Sequence, residues 1–147
     1  MADTREKSID QLNSFLRGEL SAVETYRQAL EKVKDASIVT VLRECQESHS
    51  ERVRALTEQV ATAGGTADKE SGAWGTFAKL VEGAATAFGD KTAVAALEEG
   101  EDHGLKDYRG DLKDLDPSAQ QMVSQRLLPA QEKTHRAMSN LKKRLEA

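Results

Sequence analysis

RGELSAVETYRQAL, residues 17–30, is the stretch that decides the fold, because it carries a helical apolar pattern and one exception to it. Around it, apolar side chains recur every three or four residues, which is the spacing of one face of an α-helix. The positions are Ile9, Leu12, Leu16, Val23, Tyr26, Leu30 and Val33. Glu19 fills the gap in this series. A carboxylate that faces a core is unfavourable unless it is paired, protonated or bound to a metal, so Glu19 marks a candidate site.

Helices A and B are predicted from this periodicity and from the residues that would end them. Helix A covers residues 4–34, and helix B follows a short Asp-Ala-Ser link in which Ser37 would be the N-cap. Helix B would end at Gly64–Gly65, a typical C-terminal signal. So short a link predicts that the two helices form an antiparallel hairpin.

Helices C and D are predicted in the same way. Asp90 or Thr92 would cap helix C, which extends to Leu115, and Pro117 would open helix D at its first helical position. Pro129 lies inside helix D and is expected to kink it. The apolar side of helix D comprises Val123, Leu127, Leu128, Met138, Leu141 and Leu145. Helices C and D therefore form a second antiparallel hairpin.

A short amphipathic helix is expected in the long connection between helices B and C. Its apolar positions are Trp74, Phe77, Val81, Ala84, Ala85 and Phe88. This face either docks on the bundle or forms a groove for a partner. Two hairpins joined by one long crossover indicate an all-α four-helix bundle, and residues 1–147 are expected to form a single domain.

The composition excludes several classes of function. The net charge is −4 and the basic residues are scattered, which argues against a nucleic-acid partner. No apolar run approaches the roughly 18 residues of a membrane span. Cys45 is the single cysteine, so an intrachain disulfide is impossible, and the charged residues 1–10 do not resemble a signal peptide. We therefore expect a cytoplasmic protein.

The two predicted hairpins are related in sequence. GELSAVETY at 18–26 and GEDHGLKDY at 100–108 each have a glutamate followed seven residues later by a tyrosine. QESH at 46–49 and EKTH at 132–135 each place a polar residue three positions before a histidine. Glu101 interrupts the apolar side of helix C as Glu19 interrupts that of helix A. Each long helix thus has a polar intrusion near its middle.

Carboxylates and imidazoles that converge in one core require a cation. Oxygen and imidazole donors suit iron, manganese or zinc. The spacing of Glu132 and His135 lets both side chains point inward from one turn of helix D. Ferritin-like di-iron and di-manganese bundles have one Glu on each of two helices and Glu-x-x-His on each of the other two. The four polar intrusions follow this layout.

A resemblance to known families supports the same interpretation. GELSAVETY resembles the first-helix motif of rubrerythrins and bacterioferritins, in which a ligand Glu precedes a Tyr by seven residues. The chain as a whole, including EEGEDHGLKDY at 98–108, is similar to a bacterial family of ferritin-like four-helix-bundle proteins of unknown function. The resemblance implies a metal site formed by Glu19, Gln46, His49, Glu101, Glu132 and His135, with Tyr26 and Tyr108 beside it.

Gln46 departs from this pattern, because a neutral amide is a poor bridging ligand where a glutamate is expected. Of one or two possible divalent ions per chain, we expect one to bind tightly, near Glu132 and His135. The expected function is metal-binding linked to iron, oxygen or oxidative-stress chemistry. The alternative is a non-enzymatic bundle without metal, acting by homo-oligomerisation or partner binding, in which the polar residues form a hydrogen-bonded network.

Overall fold

The helices occupy the parts of the chain in which the periodicity predicts them. The computed structural model describes residues 4–70 and 89–146. The first hairpin consists of α1 (Thr4–Lys32) and α2 (Ala36–Thr62), and the second of α3 (Asp90–Gly110) and a rod formed by α4 (Pro117–Met122), a π-helical turn (Val123–Leu127) and α5 (Leu128–Glu146). Within these ranges every regular element is helical. The predicted crossover helix at 74–88 lies outside the described residues.

The ends of α2 are fixed by one carboxylate and one glycine. The predicted N-cap, Ser37, is wrong: Asp35 caps the helix, because its Oδ1 accepts hydrogen bonds from the backbone N–H groups of Ser37 at 2.8 Å and Ile38 at 3.2 Å. The predicted C-terminal signal is confirmed. Gly64 follows the helix at φ +87°, a left-handed conformation that favours glycine.

The start of the second hairpin differs from the prediction, whereas its turn agrees. Neither Asp90 nor Thr92 caps α3, since the N-cap is Gly89, at φ +83° and without a side-chain hydrogen bond. The turn between α3 and α4 forms as expected. Asp116 caps α4 by accepting a hydrogen bond from the backbone N–H of Ala119 at 2.8 Å, and Pro117 takes the first helical position.

Two contacts show how the hairpins lie against each other. The backbone N–H of Asp35 donates to Asp90 Oδ2 at 3.3 Å, so α3 starts beside the α1–α2 link. At the other end, the backbone N–H of Asp116 donates to Ser8 Oγ at 3.0 Å, near the start of α1. Consequently α1 and α3 run antiparallel, and the connecting turns of the two hairpins lie at opposite ends of the bundle.

Within residues 4–70 and 89–146, the core consists of two apolar clusters, and buried polar side chains separate them along α1, α2, α3 and α5. The first cluster includes Tyr26, Ala29, Ile38, Leu42, Leu97 and Met138. The second includes Leu12, Leu16, Leu56, Val60, Val123 and Leu127. Among the described helices, none is both long and apolar enough to cross a bilayer.

The irregularity expected at Pro129 takes the form of the π-helical turn just before it. In this turn the backbone N–H of Leu128 donates to the carbonyl of Val123, five residues back. Proline has no N–H, and its ring would clash with the carbonyl of Gln125 four residues earlier, so a widened turn accommodates it. The turn also changes which residues of α5 face the core.

Candidate functional site

A layer of eight polar or phenolic side chains lies in the middle of the bundle. Each of the four long helical segments contributes two of them. The residues are Glu19 and Tyr26 from α1, His49 and Arg52 from α2, Glu101 and Tyr108 from α3, and Gln131 and Thr134 from α5. None is more than 4% exposed. We call this set the central layer.

The imidazole of His49 lies between two carboxylates. Its Nδ1 contacts Glu19 Oε1, and its Nε2 lies 2.6 Å from Glu101 Oε2. With an acceptor on each ring nitrogen, both nitrogens must donate, which is the imidazolium form. Burial disfavours this charge, but Glu101 and Glu19 outweigh burial and raise the pKa of His49 above its ordinary 6.5.

Arg52 brings a second cation into the central layer. Its Nη1 donates to Glu19 Oε2 at 3.3 Å and also to Gln131 Oε1, and its Nη2 donates to Thr134 Oγ1 at 3.0 Å. Nη2 further donates to Ser48 Oγ at 3.1 Å. The guanidinium therefore has partners on α1, α2 and α5. Burial works against its charge, yet the neighbouring Glu19 raises the pKa of Arg52 further above its ordinary value.

The two tyrosines connect the hairpins reciprocally. Tyr26 of α1 donates to Glu101 Oε2 of α3 at 2.5 Å, and Tyr108 of α3 donates to Glu19 Oε2 of α1 at 2.5 Å. This crossed pair explains the Glu-to-Tyr repeat in the sequence. Burial, reinforced by the adjacent carboxylates, raises the pKa of both phenols well above 10, so both remain protonated donors.

Both carboxylates are fully hydrogen-bonded. Glu101 additionally accepts hydrogen bonds from Gln131 Nε2 at 2.8 Å and from Thr134 Oγ1 at 2.7 Å. Burial raises the pKa of Glu19, but Arg52 and His49 more than reverse this and lower it to about 2. The pKa of Glu101 is also lowered, because His49 outweighs the effect of burial. The central layer therefore contains two carboxylates and two cations.

The structure brings five of the eight predicted site residues together and leaves three outside. Glu19, His49, Glu101, Tyr26 and Tyr108 belong to the central layer. Gln46 is half-buried at its edge, where its Nε2 donates to the carbonyl of Val23 at 3.3 Å. The prediction that Gln46 points into the site is wrong, because the buried face in the middle of α2 contains Leu42, Cys45, His49, Arg52 and Leu56. Cys45, one residue before Gln46, is buried in its place.

Glu132 and His135 likewise lie off the core. Glu132 Oε2 accepts a hydrogen bond from Arg109 Nη2 at 3.3 Å, and its side chain is 41% exposed. His135 Nε2 lies 3.7 Å from Glu98 Oε1 and 3.6 Å from Asp102 Oδ1, with its side chain 25% exposed. The prediction that this pair converges with Glu19 and Glu101 is therefore wrong.

The residues that replace this pair, Gln131 and Thr134, were missed because of the π-helical turn. From the π-helical turn into the start of α5, buried positions recur every four residues, at Val123, Leu127 and Gln131, and only afterwards does the spacing alternate between three and four. A regular helix read from Leu128 places Glu132 inward instead. Arg52 was missed because arginine is seldom assigned to a core, although it lies three residues after His49.

A di-metal centre does not fit the central layer. Such a centre in a ferritin-like bundle uses four carboxylates and two imidazoles, whereas this layer has Glu19, Glu101 and one imidazole. The carboxylates contact opposite nitrogens of His49, so no single ion can bind both carboxylates and the ring. Arg52 adds a charge that repels a cation. Among residues 4–70 and 89–146, no group of three or more His, Cys, Asp or Glu side chains is arranged to hold a metal ion.

Comparisons with known proteins agree with the fold. The sequence profile of a family described as a domain of unknown function (DUF2383) matches residues 7–114. A crystal structure of ferritin-like, diiron-carboxylate proteins from Bacillus anthracis str. Ames is similar, with a TM-score of 0.67 and 17% identity, over 99% of this chain and 97% of that one. At this identity the likeness shows the fold alone, which is the predicted ferritin-like helical bundle. No curated protein matches the chain.

Proposed function

This chain belongs to the family of domains of unknown function described as DUF2383, and from that premise we propose that it is a ferritin-like bundle in which an ion network replaces a metal centre. In this proposal the protein is not an enzyme and works by self-association or by binding a partner. The observation that carries the proposal is the guanidinium of Arg52, which contacts Glu19 in the core with its side chain 2% exposed.

Charge balance supports the proposal. The carboxylates of Glu19 and Glu101 contribute two negative charges, and the imidazolium of His49 and the guanidinium of Arg52 contribute two positive ones, so the layer is neutral. Buried charges are tolerated when they are paired and hydrogen-bonded, as these are. Two divalent metals would add four positive charges to this neutral core. Because charge interactions are strongest where water is scarce, the added charge would be unfavourable there.

The competing proposal is iron binding linked to oxygen chemistry. It is favoured by the description of the Bacillus anthracis structure as diiron-carboxylate and by the two buried carboxylates of this chain, Glu19 and Glu101. Before either carboxylate could bind a metal, His49 would have to lose a proton and Arg52 would have to leave its partners. The same experiment decides between the two proposals.

The decisive experiment is elemental analysis of protein expressed with added iron and manganese and purified without a chelator. We expect no more than about 0.1 metal ion per chain, because the cluster offers too few anionic donors. We also expect the same melting temperature with and without EDTA, since a chelator denatures a domain whose folding depends on a metal. Stoichiometric iron, manganese or zinc would overturn the proposal in favour of its competitor.

Self-association of the chain is the first of the two modes of action in this proposal. Sedimentation velocity of the same metal-free samples over a range of concentrations tests it. We expect a species larger than the 16.1 kDa chain, with a distribution that EDTA does not change. A monomer at every concentration would remove self-association and leave binding to another molecule. The cytoplasm remains the proposed compartment.

A further inference from the structure

A second feature lies on the outside of the second hairpin, away from the central layer. A cleft of about 230 Å³ runs between α3 and the outer face of α5. Its lining contains three cationic side chains, Arg109 from α3 and Arg136 and Lys143 from α5, one carboxylate, Glu132, and the imidazole of His135, which lies 3.6 Å from Asp102 Oδ1. With His135 counted as neutral, the lining side chains sum to two positive charges, on a chain whose net charge is −4.

Several hydrogen-bond donors in the cleft have no partner among the residues that the structure describes. Within the described part of the chain, Arg136, Ser139, Asn140 and Lys143 make no side-chain hydrogen bond or ion pair to another residue, although all four line the cleft. Arg136 and Lys143 are separated by two turns of α5, about 10 Å along its axis, with Asn140 between them on the same face. The donors therefore form a continuous row.

The walls of the cleft also limit its ligand. Its volume is below the roughly 300–1,000 Å³ of sites for drug-sized molecules, so it suits a small ligand. Arg109 is partly occupied, because it donates to Glu132 at 3.3 Å. Leu105 also lines the cleft, with only 5% of its surface exposed, so polar groups dominate the surface that a ligand would contact.

We infer that the cleft binds a phosphate-bearing small molecule, a phosphomonoester. The dianion matches the net charge of the cleft, and a guanidinium fork and an ammonium are the side-chain groups that recognise phosphate oxygens. Ser139 and Asn140 can donate to the remaining oxygens. The inference is independent of the proposed function, because none of these side chains belongs to the central layer.

The test is a titration of isotope-labelled protein with inorganic phosphate and, in a second arm, with glycerol 3-phosphate, followed by amide chemical shifts. Ionic strength is held constant with chloride, because exposed charges are screened by salt. We expect saturable shifts confined to residues 105–109 and 132–143, with a Kd at or below about 1 mM. Saturable binding of glycerol 3-phosphate at these residues would support the inference, and its absence would overturn it.

Paired variants make the result specific. Arg136→Gln with Lys143→Gln should weaken binding at least tenfold, because it removes two charge-assisted contacts. The control variant, Arg43→Gln with Lys7→Gln, removes one arginine and one lysine from exposed positions on the first hairpin. It should leave the Kd unchanged. Linear, non-saturating shifts, or equal weakening in both variants, would overturn the inference. The metal content of the core does not enter this comparison, so its outcome is separable from that of the proposed function.

Discussion

At the scale of single residues, Arg52 has the largest consequence for the molecule. A buried ion pair contributes little net stability over an apolar replacement of both partners, but the loss of one partner leaves a charge without compensation. Without Arg52, the two carboxylates of Glu19 and Glu101 would share the single positive charge of His49, which leaves one negative charge uncompensated. The same arginine also donates to Gln131, so its removal affects two other helices.

We predict that Arg52→Met lowers the free energy of unfolding by about 3–5 kcal/mol, the usual loss when one member of a buried pair is removed. Urea denaturation at pH 6 measures it. The matched control is Arg54→Met, two residues further along α2. Arg54 pairs with Glu47 at 3.2 Å with both side chains about two-thirds exposed, and its loss should change stability by no more than about 0.5 kcal/mol.

A double variant keeps this prediction informative if Arg52→Met unfolds. Adding Glu19→Gln to Arg52→Met removes the uncompensated negative charge. The double variant should therefore recover part of the stability that Arg52→Met alone loses. Equal effects of Arg52→Met and Arg54→Met, or no recovery in the double variant, would contradict a charge-balancing role for Arg52.

The pKa values of His49 and Glu19 also predict how stability changes with pH. The pKa of His49 is raised above 6.5 in the fold, so its contribution is complete below pH 6.5 and is lost as the pH rises through the folded value. The pKa of Glu19 is lowered from 4.5 to about 2, so its contribution is present above pH 4.5 and is lost as the pH falls towards 2.

We therefore predict that these two residues make the bundle most stable between about pH 4.5 and 6.5. Urea denaturation from pH 5 to pH 9 should show the wild type losing stability above pH 6.5. His49→Gln, which has no proton to lose in this range, should be less stable at pH 5 and show a shallower loss. Parallel curves for the two proteins would refute an imidazolium at position 49.

At the scale of the helices, the π-helical turn determines which residues of α5 reach the core. It places Gln131 inward, where Nε2 donates to both the backbone carbonyl and the Oε1 of Glu101 at 2.8 Å. Its neighbour Glu132 faces Arg109 at the surface. Two neighbouring residues of α5 therefore have different surroundings: Gln131 is buried in the central layer, and the side chain of Glu132 is 41% exposed.

Adjacent alanine substitutions test this register. Gln131→Ala should cost about 1–3 kcal/mol, because it removes the buried hydrogen bonds that Gln131 makes with Glu101 and Arg52. Glu132→Ala should cost no more than about 0.5 kcal/mol, since it removes an exposed pair. Both are measured by thermal unfolding monitored by circular dichroism. The opposite order would mean that Glu132 faces the core and that the π-helical turn is misplaced.

At the scale of the whole molecule, the apolar periodicity was sufficient to predict the bundle. Glu19, His49 and Glu101 were also predictable, because a charged or polar residue in an apolar series stands out. The positions of Gln131 and Thr134 were not, since Pro129 indicates an irregularity but not that a π-helical turn would shift the series by one residue. The prediction of a metal assumed that the cation comes from outside, whereas Arg52 supplies one from within the chain.

Four substitutions in the central layer would give it the ligands of a ferritin-like metal centre. His49 and Arg52 on α2, and Gln131 and Thr134 on α5, have the three-residue spacing of the Glu-x-x-His pairs in ferritin-like metal centres. Changing His49→Glu, Arg52→His, Gln131→Glu and Thr134→His would complete that ligand set around Glu19 and Glu101. Gln46→Glu adds a carboxylate at the edge of the central layer and is the control.

The most direct test is an anaerobic calorimetric titration of ferrous ion into the wild type, the four-substitution variant and the Gln46→Glu control. We predict no saturable binding by the wild type or the control at the central layer, because Arg52 and His49 already balance both carboxylates. The four-substitution variant, with helicity verified by circular dichroism, should bind up to two ions per chain. Saturable binding of one or more ferrous ions by the wild type, abolished by Glu101→Gln, would contradict the claim that the ion network replaces the metal.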